Sequence, residues 1–569
     1  ILAAMRRILS SVSAGSTPSG SLAITGARIG GGSLSVTPRY EVTNEGTDWF
    51  SELTAQTVSI EPATRAATLS FAWEASDEMP AVGSRDVFFT RNGTTRRFNS
   101  ANVADLARLC SKPSMYPGMS RCSEAEITAL GVTLDQSVSY LLGDTTLEKR
   151  NGGALRDRST KLGDIVNSTP IVSSPLDDYG YASLGGTLGS SYSTYLANKR
   201  SGHRYMVYVG ANDGMLHAFD GGMGANGVQD SNGGREEFGY IPATALGHMG
   251  NLLFPYDPDD DNDQKFDHRY YVDGPVTVSD VHYGSGWKTA LVGTAGAGGR
   301  SVFALNVTNP GGFGANDKLW EISDLDTTLP ADVRDNIGHV LGKPVIVPIK
   351  TTAGDTPRWV AIFGNGYNSA SGKAVLFIVD IATGTPSIQM IEAVEGAAPS
   401  GSNGLGNIVA LDRWGGTAAS GITGRFRDGL VDTVYAADQR GALWKFDLRA
   451  PTPADVTIPL FTTREHEEGS STYRQPIMGG LTAATGPAGG VLVYFGTGSF
   501  SFVNDPGEEE SQSLYAVNDT QAGLVTSTLT RSNLHGYSVT TTDTTRTMTA
   551  GIVPVGVRGW YVDLPEGER

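Results

Sequence analysis

Short strands alternate with turns along most of the chain, and from about Leu162 onward one uniformly β arrangement recurs five times. A strand of aromatic and β-branched residues ends at a small residue, a turn follows, and a second strand ends in Asp or Asn. A strand that contains Pro or Gly precedes such units, as in NSTPIVS and VDGPVTVSD. The small residues that end the first strands are Gly210, Gly293, Gly364, Ala437 and Gly496.

Units of four short strands and irregular length are typical of the blades of a β-propeller. The pattern therefore predicts an all-β fold over residues 161–569, a modified β-propeller of about seven blades, with a β-sandwich as the alternative. Residues 1–160 are predicted to form a mixed β and helical N-terminal segment, the remainder of a larger N-terminal region. We expect the strands of its first half to pair with something outside this chain.

Residues 99–143 differ from the β pattern and predict a small helical insert. Ser123 with Glu126, and Thr133 with Gln136, have the spacing of a capping box. In that motif each side chain bonds the backbone of the other residue at the start of a helix. Both pairs stand before an apolar run, so we expect two short helices here.

Two cysteines, Cys110 and Cys122, lie inside this insert and are the only ones in the chain. With no histidine nearby they make a poor metal site. The sequence favours a disulfide that closes a small loop, and two free thiols are the alternative. A disulfide would place the chain in the periplasm or outside the cell.

The composition narrows the class of partner. Lys and Arg total 43 and Asp and Glu total 60, which gives a net charge of −17. Because nucleic-acid interfaces are basic, we expect no nucleic-acid partner, whereas cation binding fits the charge. No apolar run reaches the ~18 residues of a membrane helix. The chain begins ILAAMRRILSS, without an initiator Met, and we interpret it as an internal part of a longer protein.

One stretch carries a recognisable binding chemistry, YDPDDDNDQKFDHRYY. Asp259, Asp261, Asp263 and Asp267 occupy positions 1, 3, 5 and 9 of a loop, and the backbone carbonyl of Lys265 occupies position 7. Calcium is a hard cation that takes six to eight oxygen ligands, and this alternation supplies them. The sequence predicts a calcium site here, although the usual Gly at position 6 and Glu at position 12 are absent. A solvated acidic loop is the alternative.

Several longer segments, in this order along the chain, resemble the signature segments of PilY-type proteins, the type IV pilus biogenesis factors and pilus tip adhesins. The resemblance covers roughly residues 45 to 569. The segments are LGDIVNSTPIVSSP (Leu162 to Pro175), VYVGANDGMLHAFD (Val207 to Asp220), HRYYVDGPVTVSD (His268 to Asp280) and VYAADQRGALWKFDL (Val434 to Leu448).

This resemblance implies a C-terminal domain that is a modified β-propeller with a short calcium loop. It implies an extracytoplasmic place in a Gram-negative bacterium, in the periplasm, at the outer membrane surface or at the pilus tip. It also implies minor pilins and the pilus tip as partners, with host or abiotic surfaces as further contacts. Pilus extension against retraction, twitching motility and surface adhesion would be the functions.

The family's usual calcium loop departs from its pattern in this chain. Asp412 matches position 1, and Asp428 and Asp432 match positions 5 and 9. An insertion separates the first from the other two, and the oxygen at position 3 is absent. We therefore expect weak calcium binding there, and we place the intact loop at Asp259 to Asp267.

No catalytic constellation is evident, since the chain has no H-x-x-x-H zinc motif and no G-x-S-x-G elbow. We therefore expect a protein that is not an enzyme. Two alternatives remain. One is a quinoprotein-like calcium-dependent dehydrogenase, because AADQRGALWKFD with Trp444 is similar to the tryptophan-docking repeat of those propellers. The other is a glycan-binding propeller without a role in pili.

Overall fold

Strands dominate the molecule, and most of its helices are a single turn or two. The structure, a computed structural model, describes residues 23–24, 33–43, 48–91, 93–111, 122–255, 268–350, 356–382, 384–396, 399, 401–414, 427–449, 454–468, 471–499, 501, 505, 510–542, 545–548 and 551–565. The α-helices in these residues are α1 (Ala75–Glu78), α2 (Ser100–Val103), α3 (Glu124–Ala129), α4 (Leu134–Leu141), α5 (Gly186–Gly202), α6 (Ala243–Leu246) and α7 (Ala331–Asn336). The 3-10 helices are Val82–Ser84, Leu106–Cys110, Lys149–Asn151, Tyr181–Leu184, Met249–Leu253, Gly296–Gly298, Pro310–Gly312, Pro487–Gly489 and Arg531–Asn533.

The N-terminal strands form a sheet of their own. They run in the order β1 (Ala23–Ile24), β2 (Ser33–Thr43), β3 (Asp48–Ile60) and β4 (Ala67–Glu74), and each pair is antiparallel. We expected these strands to pair outside the chain, whereas β2 and β3 pair with each other along the full length of β2. Leu34 and Val36 of β2 and Leu53 of β3 are fully buried and belong to one apolar core cluster, since alternate residues of a strand lie on the same side of the sheet.

Five further sheets follow in the described residues, and each contains a set of four antiparallel strands that are consecutive or nearly so. Their strands are β7 (Ile171–Ser173), β8 (Arg204–Gly210), β9 (Leu216–Gly224) and β10 (Glu236–Ile241); β11 (Val276–Tyr283), β12 (Gly286–Thr294), β13 (Ser301–Asn306) and β14 (Lys318–Ser323); β15 (Val345–Ile349), β16 (Arg358–Gly364), β17 (Ala374–Asp380) and β18 (Ile388–Ala393); β19 (Leu405–Leu411), β20 (Thr433–Asp438), β21 (Ala442–Asp447) and β22 (Phe461–Thr462); and β25 (Leu481–Thr485), β26 (Val491–Gly496), β27 (Ser513–Asp519) and β31 (Gly559–Asp563). These are the blades of a β-propeller, as the repeat predicts; the number of about seven stays a prediction.

Seven further strands complete the strand inventory of the described residues. β5 (Val87–Arg91) and β6 (Thr94–Arg97) extend the first blade to six strands, and β28 (His535–Tyr537) extends the last. The pairs β23 (Glu465–Glu468) with β24 (Ser471–Arg474) and β29 (Val539–Thr541) with β30 (Arg546–Met548) are hairpins. Because β5 pairs in parallel with β10, strands on both sides of the predicted boundary at 160/161 share one sheet; that boundary stays a prediction.

The five predicted small residues lie where the repeat places them, at or next to the end of the second strand of each blade. Two of them show why the position is small. A Cβ atom at Gly210 would overlap the carbonyl of Val272, and one at Gly364 would overlap the carbonyls of Leu405 and Gly406. In both cases the chain entering the following blade passes directly over the strand end, so only a residue without a side chain fits.

Helix α5 is the one long helix in the described residues, and the sequence pattern did not predict it. It lies between the first two strands of the first blade. It buries Gly189, Tyr192, Leu196 and Lys199, and the ammonium of Lys199 lies 2.9 Å from the carboxylate of Asp280. No helix among the described residues is long and apolar enough to cross a lipid bilayer.

The chain divides into two compact units, residues 1–280 with 285–330, and residues 281–284 with 331–569. The first unit has one apolar core beneath the helical insert and the first blades, and a second core beneath the N-terminal sheet. The second unit has its own cores between successive blades. Each unit therefore has apolar cores of its own.

Candidate functional site

The predicted calcium loop falls in a part of the chain that the structure does not describe. Its ligands Asp259, Asp261, Asp263, Lys265 and Asp267 all lie outside the described residues, so calcium binding there stays a prediction. The residues on both sides of the loop are described, and both ends are held by buried contacts.

The C-terminal end of the loop is fixed by His268. Its Nε2 lies 2.7 Å from Oδ2 of Asp164, and its ring centroid lies 4.3 Å from that of Trp49. Asp164 also accepts a hydrogen bond of 2.8 Å from Nδ2 of Asn212, whose Oδ1 accepts one from the backbone of Tyr271. His268 is thus packed and bonded in the first unit, with 17% of its side chain exposed.

The N-terminal end of the loop follows the 3-10 helix Met249–Leu253. The carbonyl of Leu253 accepts a hydrogen bond of 3.1 Å from the backbone N–H of Arg156. Gly250 packs directly against the disulfide between Cys110 and Cys122, whose Cα atoms are 5.4 Å apart. The disulfide therefore supports the helix from which the acidic loop departs.

The second candidate loop is described at Asp412, Asp428 and Asp432. Asp412 accepts a hydrogen bond of 2.8 Å from the backbone N–H of Gly429. Asp432 accepts bonds of 3.0 and 2.6 Å from the backbone of Arg413 and the residue after it. Burial raises the pKa of Asp412 and raises that of Asp432 to about 6, and the Asp412 carboxylate adds to the second shift. Each of these two carboxylates therefore accepts hydrogen bonds from backbone N–H groups close to the other carboxylate.

Arg413, next to this loop, is locked in a buried charge network. Its guanidinium lies 2.8 Å from Asp519, which also lies 2.8 Å from the ammonium of Lys445. The hydroxyl of Tyr435 donates a third bond, of 2.6 Å, to Asp519. The described residues contain no group of three or more His, Cys, Asp or Glu side chains arranged to hold a metal ion. Calcium binding at this loop, which we expect to be weak, stays a prediction.

The first unit contains another buried charge network, which the sequence did not predict. Arg85 makes two hydrogen bonds, of 2.6 and 2.8 Å, to Glu236. His217 lies between Glu236, at 2.7 Å from Nδ1, and Asp213, at 3.0 Å from Nε2. The network joins the strand-and-helix segment to the first blade. Asp213 and His217 are only four residues apart, but Arg85 lies 151 residues from Glu236, so local spacing does not reveal the network.

The tryptophan of the docking-like repeat has a structural role. Trp444 is buried in the core of the second unit, and its indole N–H donates a hydrogen bond of 2.9 Å to Oδ2 of Asp438. Asp438 also accepts bonds from the backbone of Ala442 and the side chain of Asn403. The motif thus closes the turn between β20 and β21.

Comparison with known proteins agrees with this architecture. The family model described as the PilY1 beta-propeller domain matches residues 162–550. A type IV pilus biogenesis factor PilY1 homolog of Xylella fastidiosa (strain Temecula1) is 35% identical over 600 residues, which cover 97% of this chain and 37% of that protein. Type IV pilus biogenesis factor PilY1 of Pseudomonas aeruginosa (strain PAK) is 29% identical over 75% of this chain and 36% of that protein. The crystal structure of the Pseudomonas aeruginosa PilY1 C-terminal domain, 27% identical, superposes with a TM-score of 0.47 over 65% of this chain and 73% of that chain.

Fold and comparison together define a β-propeller protein whose first blade is extended by an N-terminal strand-and-helix segment. The chain belongs to the PilY1 β-propeller family. It spans little more than a third of the length of the two curated relatives.

Proposed function

We propose that this chain is the propeller part of a type IV pilus biogenesis factor that supports pilus extension, twitching motility and surface adhesion. The family match over residues 162–550 carries the proposal, and the names of the relatives support it. In this proposal the chain acts without catalysis, in the periplasm, at the outer membrane surface or at the pilus tip of a Gram-negative bacterium. Minor pilins at the tip are its partners, and host or abiotic surfaces are further contacts.

The proposal includes a calcium ion in the loop from Asp259 to Asp267. The alternate carboxylates support it. The anchored ends support it as well, since a loop whose ends are already fixed loses less entropy when an ion orders it. An ion would add to the stability of the state that holds it, which makes the loop suited to controlling a neighbouring surface.

The calcium part is tested by thermal unfolding of this chain in EDTA and across a calcium titration. We expect a saturable rise in the midpoint, equivalent to about 2.7 kcal/mol at a hundredfold excess over Kd. The double variant Asp261→Ala, Asp263→Ala should lose the response. The matched control is Asp257→Ala, Asp260→Ala, which removes the same charge from positions outside the alternation. An equal loss in both variants would mean that charge alone, and not a coordination site, produces the effect.

The pilus part is tested with the full-length gene in the bacterium that carries it. We expect deletion to reduce the number of surface pili and the twitching zone, and the wild-type gene to restore both. Complementation by the Asp261→Ala, Asp263→Ala gene measures the contribution of calcium separately. Unchanged pili after deletion would contradict the biogenesis role, whereas full complementation by the variant would remove only the calcium requirement.

A further inference from the structure

A polar cleft of about 380 Å³ opens in the first unit, and neither the proposed pilus role nor the acidic loops use it. It lies between the C-terminal end of α5, strands β8 and β10, and the turn after β13. We call it the α5 cleft and define it by Ser173, His203, Glu237 and Asn309. Its volume falls in the range of pockets that enclose small organic molecules.

The cations at the α5 cleft are already neutralised. The ammonium of Lys199 lies 2.9 Å from both carboxylate oxygens of Asp280. The guanidinium of Arg204 pairs with Asp220 at 2.6 Å and with Asp230 at 2.7 Å. A phosphate or carboxylate ligand would have to displace these partners, so the cleft does not favour an anion.

The four defining side chains, in contrast, retain their hydrogen-bonding capacity. Within the described residues Ser173, His203, Glu237 and Asn309 make no side-chain hydrogen bond, and the nearest cation to Glu237, Nε of Arg235, is 4.0 Å away. A half-buried carboxylate without a bond is costly unless a ligand or water supplies the donor. The cleft therefore presents a hydroxyl, an imidazole, a carboxylate and an amide in one place.

The electrostatics fix which roles these groups play. Burial lowers the pKa of His203, and Lys199 lowers it further, so its imidazole is neutral near pH 7 and offers one donor and one acceptor. Burial raises the pKa of Glu237, with Asp220 contributing in the same direction. At neutral pH the site thus combines strong acceptors with moderate donors, and it carries no unpaired positive charge.

The floor of the α5 cleft is apolar. Met206, Tyr208 and Val307 line it and are buried. Mixed donors and acceptors around an apolar floor match a ligand whose hydroxyl groups each donate and accept and whose ring presents C–H groups on one face. We propose that the α5 cleft binds a neutral saccharide unit, with Glu237, His203, Asn309 and Ser173 bonding its hydroxyl groups.

The test is saturation-transfer NMR of this chain with glucose, galactose, mannose and N-acetylglucosamine at millimolar concentration, without calcium or pili. Glucuronate and inorganic phosphate are the anionic comparison. We expect at least one neutral sugar to bind and to bind at least tenfold more weakly to Glu237→Ala and to Asn309→Ala. The matched control, Glu124→Ala, removes an exposed carboxylate from the start of α3 and should bind as the wild type does.

Thermal unfolding of each variant shows whether it is folded, and Asn309, which is exposed on a turn, keeps the test valid if the Glu237 variant is unstable. Absence of binding by every neutral sugar overturns the proposal. Binding of the anions alone overturns it too, and so does neutral-sugar binding that both cleft variants retain. None of these outcomes bears on the calcium or pilus tests.

Discussion

At the scale of single residues, the buried network of the first unit links Arg85 to Glu236, 151 residues further along the chain. Burial lowers the pKa of His217, but Asp213 and Glu236 outweigh it and raise the pKa to about 9. Burial likewise raises the pKa of Glu236, but Arg85 and His217 hold it well below its usual range. The buried imidazolium is therefore stabilised by two carboxylates, and the whole group depends on its protonation.

We predict that the contribution of this network to the stability of the first unit is greatest between about pH 4.5 and 6.5 and falls on both sides. The folded-state pKa of His217 lies above its ordinary value of 6.5, so its contribution is complete below 6.5 and is lost as the pH rises through about 9. The pKa of Glu236 lies below its ordinary 4.5, so its contribution is complete above 4.5 and is lost on acidification. The loss from pH 6.5 to 9 should be on the order of 3 kcal/mol.

Urea unfolding across this pH range, for the wild type and His217→Gln, provides the measurement. The variant should be destabilised by about 3 kcal/mol at pH 6 and should lose the decline between pH 6.5 and 9. The matched control is His535→Gln, in β28 of the second unit, which should keep the decline. A decline that persists in His217→Gln would assign it to another group.

At the scale of elements, the sequence predicts the helices that begin with a capping motif, but not the helix whose buried face is partly polar. The capping pairs begin α3 and α4, where Ser123 and Thr133 accept bonds from the backbone of Glu126 and Gln136. The sequence pattern does not predict helix α5 because its buried face includes Gly189 and Lys199. Neither residue contributes to an apolar stripe, and glycine weakens the helical signal further. Only the pairing of Lys199 with Asp280, distant in sequence, makes that face compatible with burial.

The 3-10 helix at Met249–Leu253 gives a prediction at this scale. A methyl group at Gly250 would overlap the sulfur atoms of Cys110 and Cys122, although the backbone there suits any residue. We expect Gly250→Ala to cost about 1–3 kcal/mol of unfolding free energy in the oxidised protein. Reduction alone should cost about 3 kcal/mol, because the disulfide closes a loop with a sequence separation of 12.

The two changes should be coupled. Once the sulfurs are separate thiols they can rotate away, so the cost of Gly250→Ala should shrink by about 1 kcal/mol in the reduced protein. Gly83→Ala is the matched control, since a methyl group there meets nothing within 4 Å. Chemical unfolding with and without reductant measures all four states. If Gly250→Ala costs the same unfolding free energy in the oxidised and the reduced protein, the 3-10 helix and the disulfide are not energetically coupled.

At the scale of the whole molecule, the sequence predicts the propeller because the signal is repeated. Each blade carries its own strand, small residue and turn, so an error in one unit does not obscure the others. The acidic loop is recognisable for the opposite reason, since its four carboxylates lie within nine positions. The network around His217 and the α5 cleft have no such signal, because packing alone brings their residues together.

The repeat also places a buried polar side chain at the end of the second strand of several blades or just after it. Asn212 serves the first blade, Asn365 the third and Asp438 the fourth. In each case the side chain bonds backbone or side chains of the chain that leads into a neighbouring strand or the following blade. We call these residues joint residues, because their side chains hydrogen-bond strand ends that would otherwise be buried without partners.

Among these joint residues, Asn365 makes four side-chain hydrogen bonds and offers a direct test. Its side chain is fully buried, its Nδ2 donates to the carbonyls of Asn336 and Lys373, and its Oδ1 accepts from the backbone of Val375 and Leu405. Asn365→Ala leaves these four groups without partners and should cost about 3 kcal/mol or more of unfolding free energy. The control Asn407→Ala removes a single exposed bond, to the carbonyl of Gly479, and should cost under about 1 kcal/mol. Urea unfolding of both variants decides the point, because similar costs would mean that the joint residue adds little beyond an ordinary surface bond.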